Sequence, residues 1–111
     1  NATGSEQVKN YAATGGELHR LSNVIITKAG AGGATEQTLG PVTAGLLVKV
    51  IVAAAQQFDI TPNTGDQIIP TTNAAGDTVR NAGNVGETIF LYGIDDTYWV
   101  AVPTGTWSDA N

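Results

Sequence analysis

Nucleophilic or metal chemistry in this chain would depend on its single histidine, His19, in the stretch ELHRLS. A Ser-His-Asp triad would need one of the serines Ser5, Ser22 or Ser108, and none of them lies in a nucleophile-elbow sequence. A lone histidine in a chain without cysteine does not provide the ligand set of a standard zinc site. We therefore predict that the protein is not an enzyme and holds no metal or cofactor.

The acidic residues suggest a second kind of chemistry. The stretches NTGDQI (63–68) and NVGETI (84–89) share the order Asn, any residue, Gly, acid, any residue, Ile. Asp66 and Glu87 in these stretches, or Asp95 and Asp96 farther along, could form a carboxylate pair or bind calcium through oxygen ligands. Gly and Asn at these positions also favour tight turns, and turns are the interpretation that we prefer in all three places.

Composition limits the classes of function. The chain has 111 residues, of which 41% are hydrophobic and 14% are charged, and its net charge is -5. One domain is the expectation for this length, and an acidic chain without a basic cluster does not favour binding to phosphate backbones. The longest apolar run, 46–55, contains Lys49 and is about half of the roughly 20 residues that a membrane helix needs. We predict neither a nucleic-acid nor a membrane partner.

The elements that would position these residues are strands. Short runs rich in β-branched residues alternate with Gly, Pro and Asn, as is typical of all-β domains. TIFLYGI (88–94) and TYWVAV (97–102) predict a hairpin in which Tyr98 and Trp99 face opposite sides, and Asp95 and Asp96 form its turn. Other strands are predicted at 24–27, 37–39, 46–55, 57–62 and 77–80. We predict an antiparallel sandwich, prism or barrel-like domain over 17–111, preceded by an extended N-terminal arm over 1–16.

From residue 42 to residue 109 the chain resembles small β-rich bacteriophage virion proteins, namely head decoration proteins and the terminal domains of tail fibres. The shared features are the sequences GDQI (65–68), GETI (86–89), WV (99–100) and the final GTW (105–107). The resemblance implies an all-β subunit, a homotrimer, exposed on the surface of a particle. It implies no catalytic residues.

Three functions follow as alternatives. The first is a trimeric capsid decoration protein on the virion surface, with itself and the major capsid protein or other virion subunits as partners. The second is a receptor- or carbohydrate-binding tail fibre tip, in which Trp99 and Trp107 stack on sugars while Asp95, Asp96 and Tyr98 bind hydroxyl groups. The third is a secreted or cell-surface filament subunit that donates its arm as a strand.

Interface residues are predicted for the first of these functions. Aromatic residues are enriched at the centres of interfaces. Trp107, almost at the end of the sequence, either contacts a neighbouring copy or covers its own domain. The predicted interface residues are Trp107, Trp99, Tyr98, Tyr11 and Val8.

Overall fold

The computed structural model describes residues 30–111 completely. In the first 29 residues it describes only three strands, and of these only the backbone: β1 (Gln7–Asn10), β2 (Glu17–Leu18) and β3 (Val24–Thr27). Eight further strands follow, and no helix occurs among the described residues. They are β4 (Thr35–Leu39), β5 (Leu47–Ile51), β6 (Phe58–Thr61), β7 (Gln67–Ile69), β8 (Val79–Asn81), β9 (Thr88–Gly93), β10 (Tyr98–Pro103) and β11 (Ser108–Asp109).

The strands form two sheets that enclose one core. Sheet A has six strands in the order β1-β3-β5-β9-β10-β7, and sheet B has five in the order β11-β8-β6-β4-β2. From β1 to β6 the chain alternates between the sheets, and each new strand lies parallel to its predecessor in the same sheet. This half of the domain is therefore a coil with one strand in each sheet per turn.

The second half is different, because β8 and β9 pair antiparallel with both of their neighbours, whereas β10 pairs antiparallel with β9 and parallel with β7. The predicted all-β class is confirmed, and the predicted hairpin is confirmed as β9 and β10. The expectation of an antiparallel architecture is wrong, because both sheets are mixed. Parallel pairs require crossover connections, and from β1 to β6 each crossover contains a strand of the opposite sheet.

The core is aliphatic, with two large aromatic side chains. Trp99 and Phe58 are the largest fully buried side chains, and they contact inward-facing residues from both sheets. Alternation along β10 places Trp99 in the core. Trp99 and Ala101 are buried, whereas the alternate residues Tyr98 and Val100 are partly exposed. The other core residues are Leu39, Val42, Val48, Val50, Val52, Ile60, Ile68, Val79, Ile89 and Leu91.

The two similar stretches noted in the sequence form the same turn. In each, the amide after a glycine with positive φ donates to a carbonyl three residues back: Asp66 to Asn63 at 2.9 Å, and Glu87 to Asn84 at 3.2 Å. The predicted turn interpretation is confirmed. A third turn of this kind, centred on Gly45, precedes β5, so all three lead from a strand of sheet B into a strand of sheet A.

The division into an arm over 1–16 and a domain over 17–111 stays a prediction. Residues 7–10 of the predicted arm form β1, paired with β3, and the rest of that segment lies outside the described residues.

Candidate functional site

The outer side of sheet A carries apolar side chains where solvent-facing polar ones would be expected. Along β9 and β10 both sides are apolar: Ile89 and Leu91 are buried in the core, whereas Tyr92 and Val102 point outward and are 40% and 52% exposed. Half-buried apolar side chains of β5 and β7 extend the surface. We call this surface the apolar face; it comprises Leu47, Ile51, Ile69, Phe90, Tyr92, Tyr98, Val100 and Val102.

Strand register makes the apolar face continuous. Val100 pairs with Tyr92 on one side and with Ile69 on the other, and Tyr92 pairs with Leu47, so one row crosses four strands. At strand spacings of about 4.8 Å and about 3.3 Å per residue, the four strands cover roughly 300 Å² in projection. The largest apolar patch on a small protein is usually of this order, and it is often functional.

One cation lies within the apolar face. The Lys49 ammonium is 5.6 Å from the centre of the Phe90 ring, which is within the range of a cation–π contact. Phe90 pairs in register with Lys49 and with Val102. The lysine therefore lies against an aromatic ring of the apolar face.

The outer side of sheet B is polar. Arg80 forms a bidentate ion pair with Asp59 at 2.9 and 3.0 Å, and this hydrogen-bonded carboxylate raises the pKa of Arg80. The Thr61 hydroxyl contacts Glu36 and lies 2.8 Å from the Thr78 hydroxyl. Because the two sheets share one core but differ in their outer sides, the apolar face is a specific feature of sheet A.

The structure places the predicted interface residues in different environments. Trp99 is only 1% exposed and is covered by its own chain. Tyr98 lies on the apolar face, and Trp107 is half-buried against the core with its indole N–H donating to the Thr104 carbonyl at 3.0 Å. Tyr11 and the side chain of Val8 lie outside the described residues. A role in an interface stays a prediction for Tyr98, Trp107, Tyr11 and Val8.

The Asp95-Asp96 pair forms the turn of the β9–β10 hairpin, as predicted. The Asp95 carboxylate accepts the backbone N–H groups of Thr97 and Tyr98, both at 2.8 Å. This arrangement uses one carboxylate to close the turn. Sugar stacking on Trp99 would require an exposed ring, which the fold does not provide.

Asp66 and Glu87 each attach their turn to a distant loop. Asp66 is buried and accepts the backbone N–H of Val42 at 2.9 Å. Glu87 accepts from the Asn81 amide at 2.9 Å and from the Thr106 backbone N–H at 3.1 Å. The two carboxylates therefore bind different loops, and each accepts a backbone N–H from its loop.

These hydrogen bonds lower the pKa of Glu87 from its ordinary value of 4.5, with the bond from Asn81 as the main cause. A carboxylate with a lowered folded-state pKa stabilises the fold fully above its unfolded pKa, and this stabilisation is lost as the pH falls through the folded pKa. We expect the melting temperature to fall more steeply between about pH 6 and about pH 3 in the wild type than in Glu87→Gln. Thermal unfolding followed by circular dichroism at a series of pH values measures this, and parallel profiles for the two proteins would contradict it.

Two acidic residues, Asp109 and Asp77, lie together at the C-terminal strand β11. Asp109 in β11 accepts the backbone N–H groups of Asn111 at 2.9 Å and Asn73 at 3.0 Å, which lowers its pKa. Partial burial and the hydrogen bond with Asp109 raise the pKa of Asp77. The arrangement attaches the end of the described chain to the loop before β8.

The residues considered for catalysis are not brought together. His19, Ser5 and Ser22 lie outside the described residues, and Ser108 is in β11. Residues 30–111 contain neither a pocket nor a group of three or more His, Asp or Glu side chains that could hold a metal ion. In the described part of the chain no helix is long and apolar enough to cross a membrane.

The fold and its surfaces define a two-sheet all-β domain with one apolar outer face. No protein-family model matches the chain, and a search of curated proteins finds no match.

Proposed function

We propose that this chain is a non-enzymatic structural subunit that assembles through the apolar face, as a homotrimeric decoration protein on the exterior of a virus particle. The observation that carries the proposal is the contrast between the two outer sides of one sandwich. Val102 and Tyr92 are about half exposed on sheet A, whereas the corresponding side of sheet B carries the Arg80–Asp59 ion pair. Apolar side chains in this arrangement are those that a protein interface covers.

The apolar face forms only the centre of the interface, and surrounding residues form its rim. A standard interface buries about 800 Å² per partner, more than twice the roughly 300 Å² that the face covers in projection. The turns around the face supply the remainder, including the exposed residues Val85 and Ile94 at the ends of β9. In a closed trimer each contact joins two different patches, and symmetry buries both patches on every subunit. The number three and the location on a particle are supported by the resemblance to phage decoration proteins.

Substitution of one exposed side chain on the apolar face tests the assembly. We expect Val102→Glu to abolish the three-copy assembly of the 11.4 kDa chain, because the carboxylate would be buried without a partner in the interface. Thr38→Glu is the matched control: it adds the same charge at an exposed strand position of sheet B and should leave the trimer intact. Size-exclusion chromatography with light scattering measures the mass, and circular dichroism verifies folding.

Two results would contradict this account. If the wild-type protein has the mass of one chain, no trimer forms. If Val102→Glu keeps the wild-type mass, the apolar face is not part of the interface. The location requires a separate measurement, which is gold labelling with an antibody against the chain in electron microscopy of the particles and cells that produce it. Label on the exterior of particles is expected, and label confined to cells would overturn the virion role.

A further inference from the structure

At one end of the sandwich each sheet finishes in a strand that pairs on one side only among the described residues. β1 (Gln7–Asn10) is the terminal strand of sheet A, and β2 (Glu17–Leu18) is the terminal strand of sheet B. Short connections between successive strands of the coil place these two edges at the same end. The outward N–H and C=O groups of a terminal strand can form hydrogen bonds with a further strand.

The opposite end is protected against such pairing. There the terminal strands are β7, of three residues, and β11, of two. Pro70 follows β7, and the chain then folds back, so that the backbone N–H and the hydroxyl of Thr72 donate to the Ile68 carbonyl at 2.9 and 2.7 Å. Short edges, proline and a covering loop are the usual means of preventing edge-to-edge association. β1 has four residues, and the first proline of the chain is Pro41.

We propose that the β1/β2 end is a second self-association surface, at which two copies of this chain pair around a two-fold axis. The axis runs from one sheet to the other, so β1 meets β1 of the second copy and β2 meets β2, both antiparallel. Each sheet then continues across the contact. The contact is isologous, because both copies use the same surface.

The geometry favours a second copy over an extended peptide as the occupant. Stacked sheets are about 10 Å apart, so one added strand would satisfy the edge of one sheet and leave the other open. An identical end carries two edges at the same separation and satisfies both at once. The surface does not overlap the apolar face, whose strands are β5, β9, β10 and β7.

The sequence of β1 selects a register for this contact. A two-fold axis perpendicular to the sheet keeps each side chain on the same face, so the axis must pass between one residue of β1 and its own copy. With the axis through Val8, Val8 lies opposite Val8 of the second copy and Gln7 lies opposite Lys9. A register with the axis through Lys9 would place the two lysines directly opposite each other, and this is unfavourable.

Disulfide cross-linking tests the contact, because the chain has no cysteine of its own. Antiparallel partners have Cα atoms about 4.5 to 5.5 Å apart, within the range that a disulfide spans. A Gln7→Cys chain mixed with a Lys9→Cys chain that carries a size tag should give several-fold more linked heterodimer under mild oxidation than Gln67→Cys, placed in β7 at the protected end, mixed with the same tagged chain. Equal yields in the two mixtures would overturn the proposal.

Proline substitution gives a second readout that does not depend on oxidation. Successive N–H groups of a strand point to opposite sides, so of Val8→Pro and Lys9→Pro one removes an outward N–H and the other removes a bond to β3. We expect the variant that loses an outward N–H to lose the two-copy contact, while its circular dichroism spectrum stays unchanged. Retention of the contact by both proline variants would overturn the proposal. Both experiments are repeated in Val102→Glu, in which the edge contact should persist and give the mass of two chains. Failure of the edge contact is therefore distinguishable from failure of the apolar-face trimer.

Discussion

Replacement of Trp99 by alanine is expected to lower the free energy of unfolding by about 3 to 5 kcal/mol, the usual cost of removing a buried aromatic side chain. Trp99 is the largest fully buried side chain and lies between the two sheets, where β10 is held on both sides by β9 and β7. Because domains of this size are stable by only about 5 to 15 kcal/mol, the variant should lose a large part of its stability.

Trp107→Ala is the matched control for this prediction. Trp107 is half-buried at the edge of the core, and its indole N–H makes one hydrogen bond to the Thr104 carbonyl. Its removal should cost about 1 kcal/mol in a single chain, since less area is buried and one exposed bond is lost. Urea unfolding at equilibrium compares the two variants. If Trp99→Ala kept its stability and lost only its association with other copies, Trp99 would belong to an interface and its placement in the core would be wrong.

Short-range features of this fold were predictable from the sequence. The turns at 63–66 and 84–87 and the hairpin of β9 and β10 are encoded by residues next to each other, namely Gly with positive φ, Asn, and the Asp95 carboxylate that closes its own turn. Alternation within β10 predicted that Tyr98 and Trp99 face opposite sides, and the structure confirms it. These features depend on local backbone preferences, which do not require knowledge of the pairing partner.

The parallel coil was not predictable in the same way. Val24 pairs with Val48 and Thr35 pairs with Phe58, and no local signal specifies that an intervening strand belongs to the other sheet. An even spacing of short strands is equally compatible with successive hairpins, and this is why an antiparallel domain was expected. The role of Glu87 had the same limitation, because its contact with Thr106 exists only once the chain has returned from β10.

The apolar face had a signal in the sequence that the strand assignment alone did not use. In TIFLYG and TYWVAV the residues at both alternating sets of positions are apolar, and strands with this pattern are covered on both sides. One set, with Ile89 and Trp99, forms the core, and the other, with Phe90 and Val102, forms the apolar face. The sequence thus contained the candidate surface, although the identity of its partner depends on surfaces outside these strands.

A buried amide joins two loops at one end of the sandwich, 82–87 and 104–107, and its loss should be comparable in cost to the loss of Trp99. Asn81 has no exposed surface, and its carbonyl oxygen accepts the backbone N–H groups of Gly83 at 2.8 Å and Asn84 at 2.9 Å. Its amide nitrogen donates to the Glu87 carboxylate at 2.9 Å and to the Thr106 carbonyl at 3.2 Å. Four groups therefore depend on one side chain.

Asn81→Leu keeps the branched shape of the side chain and its number of heavy atoms and removes all of these hydrogen bonds. Buried groups left without partners cost about 1 to 3 kcal/mol each, and with partial access of water we expect a total loss of about 3 to 5 kcal/mol. Because the bond from Asn81 is the main cause of the lowered pKa of Glu87, that pKa should also rise toward its ordinary value. Urea unfolding measures the first effect, and a pH titration followed by NMR measures the second.

Asn84→Ala separates the buried amide from the network around it. The Asn84 side chain also donates to Glu87, at 3.2 Å, but from an exposed position, so its removal should cost well under 1 kcal/mol and move the pKa of Glu87 only slightly. Equal losses of stability in Asn81→Leu and Asn84→Ala would mean that the loops hold their geometry without the buried amide. An unchanged pKa of Glu87 in Asn81→Leu would show that the backbone N–H of Thr106 is sufficient to keep that carboxylate ionised at acidic pH.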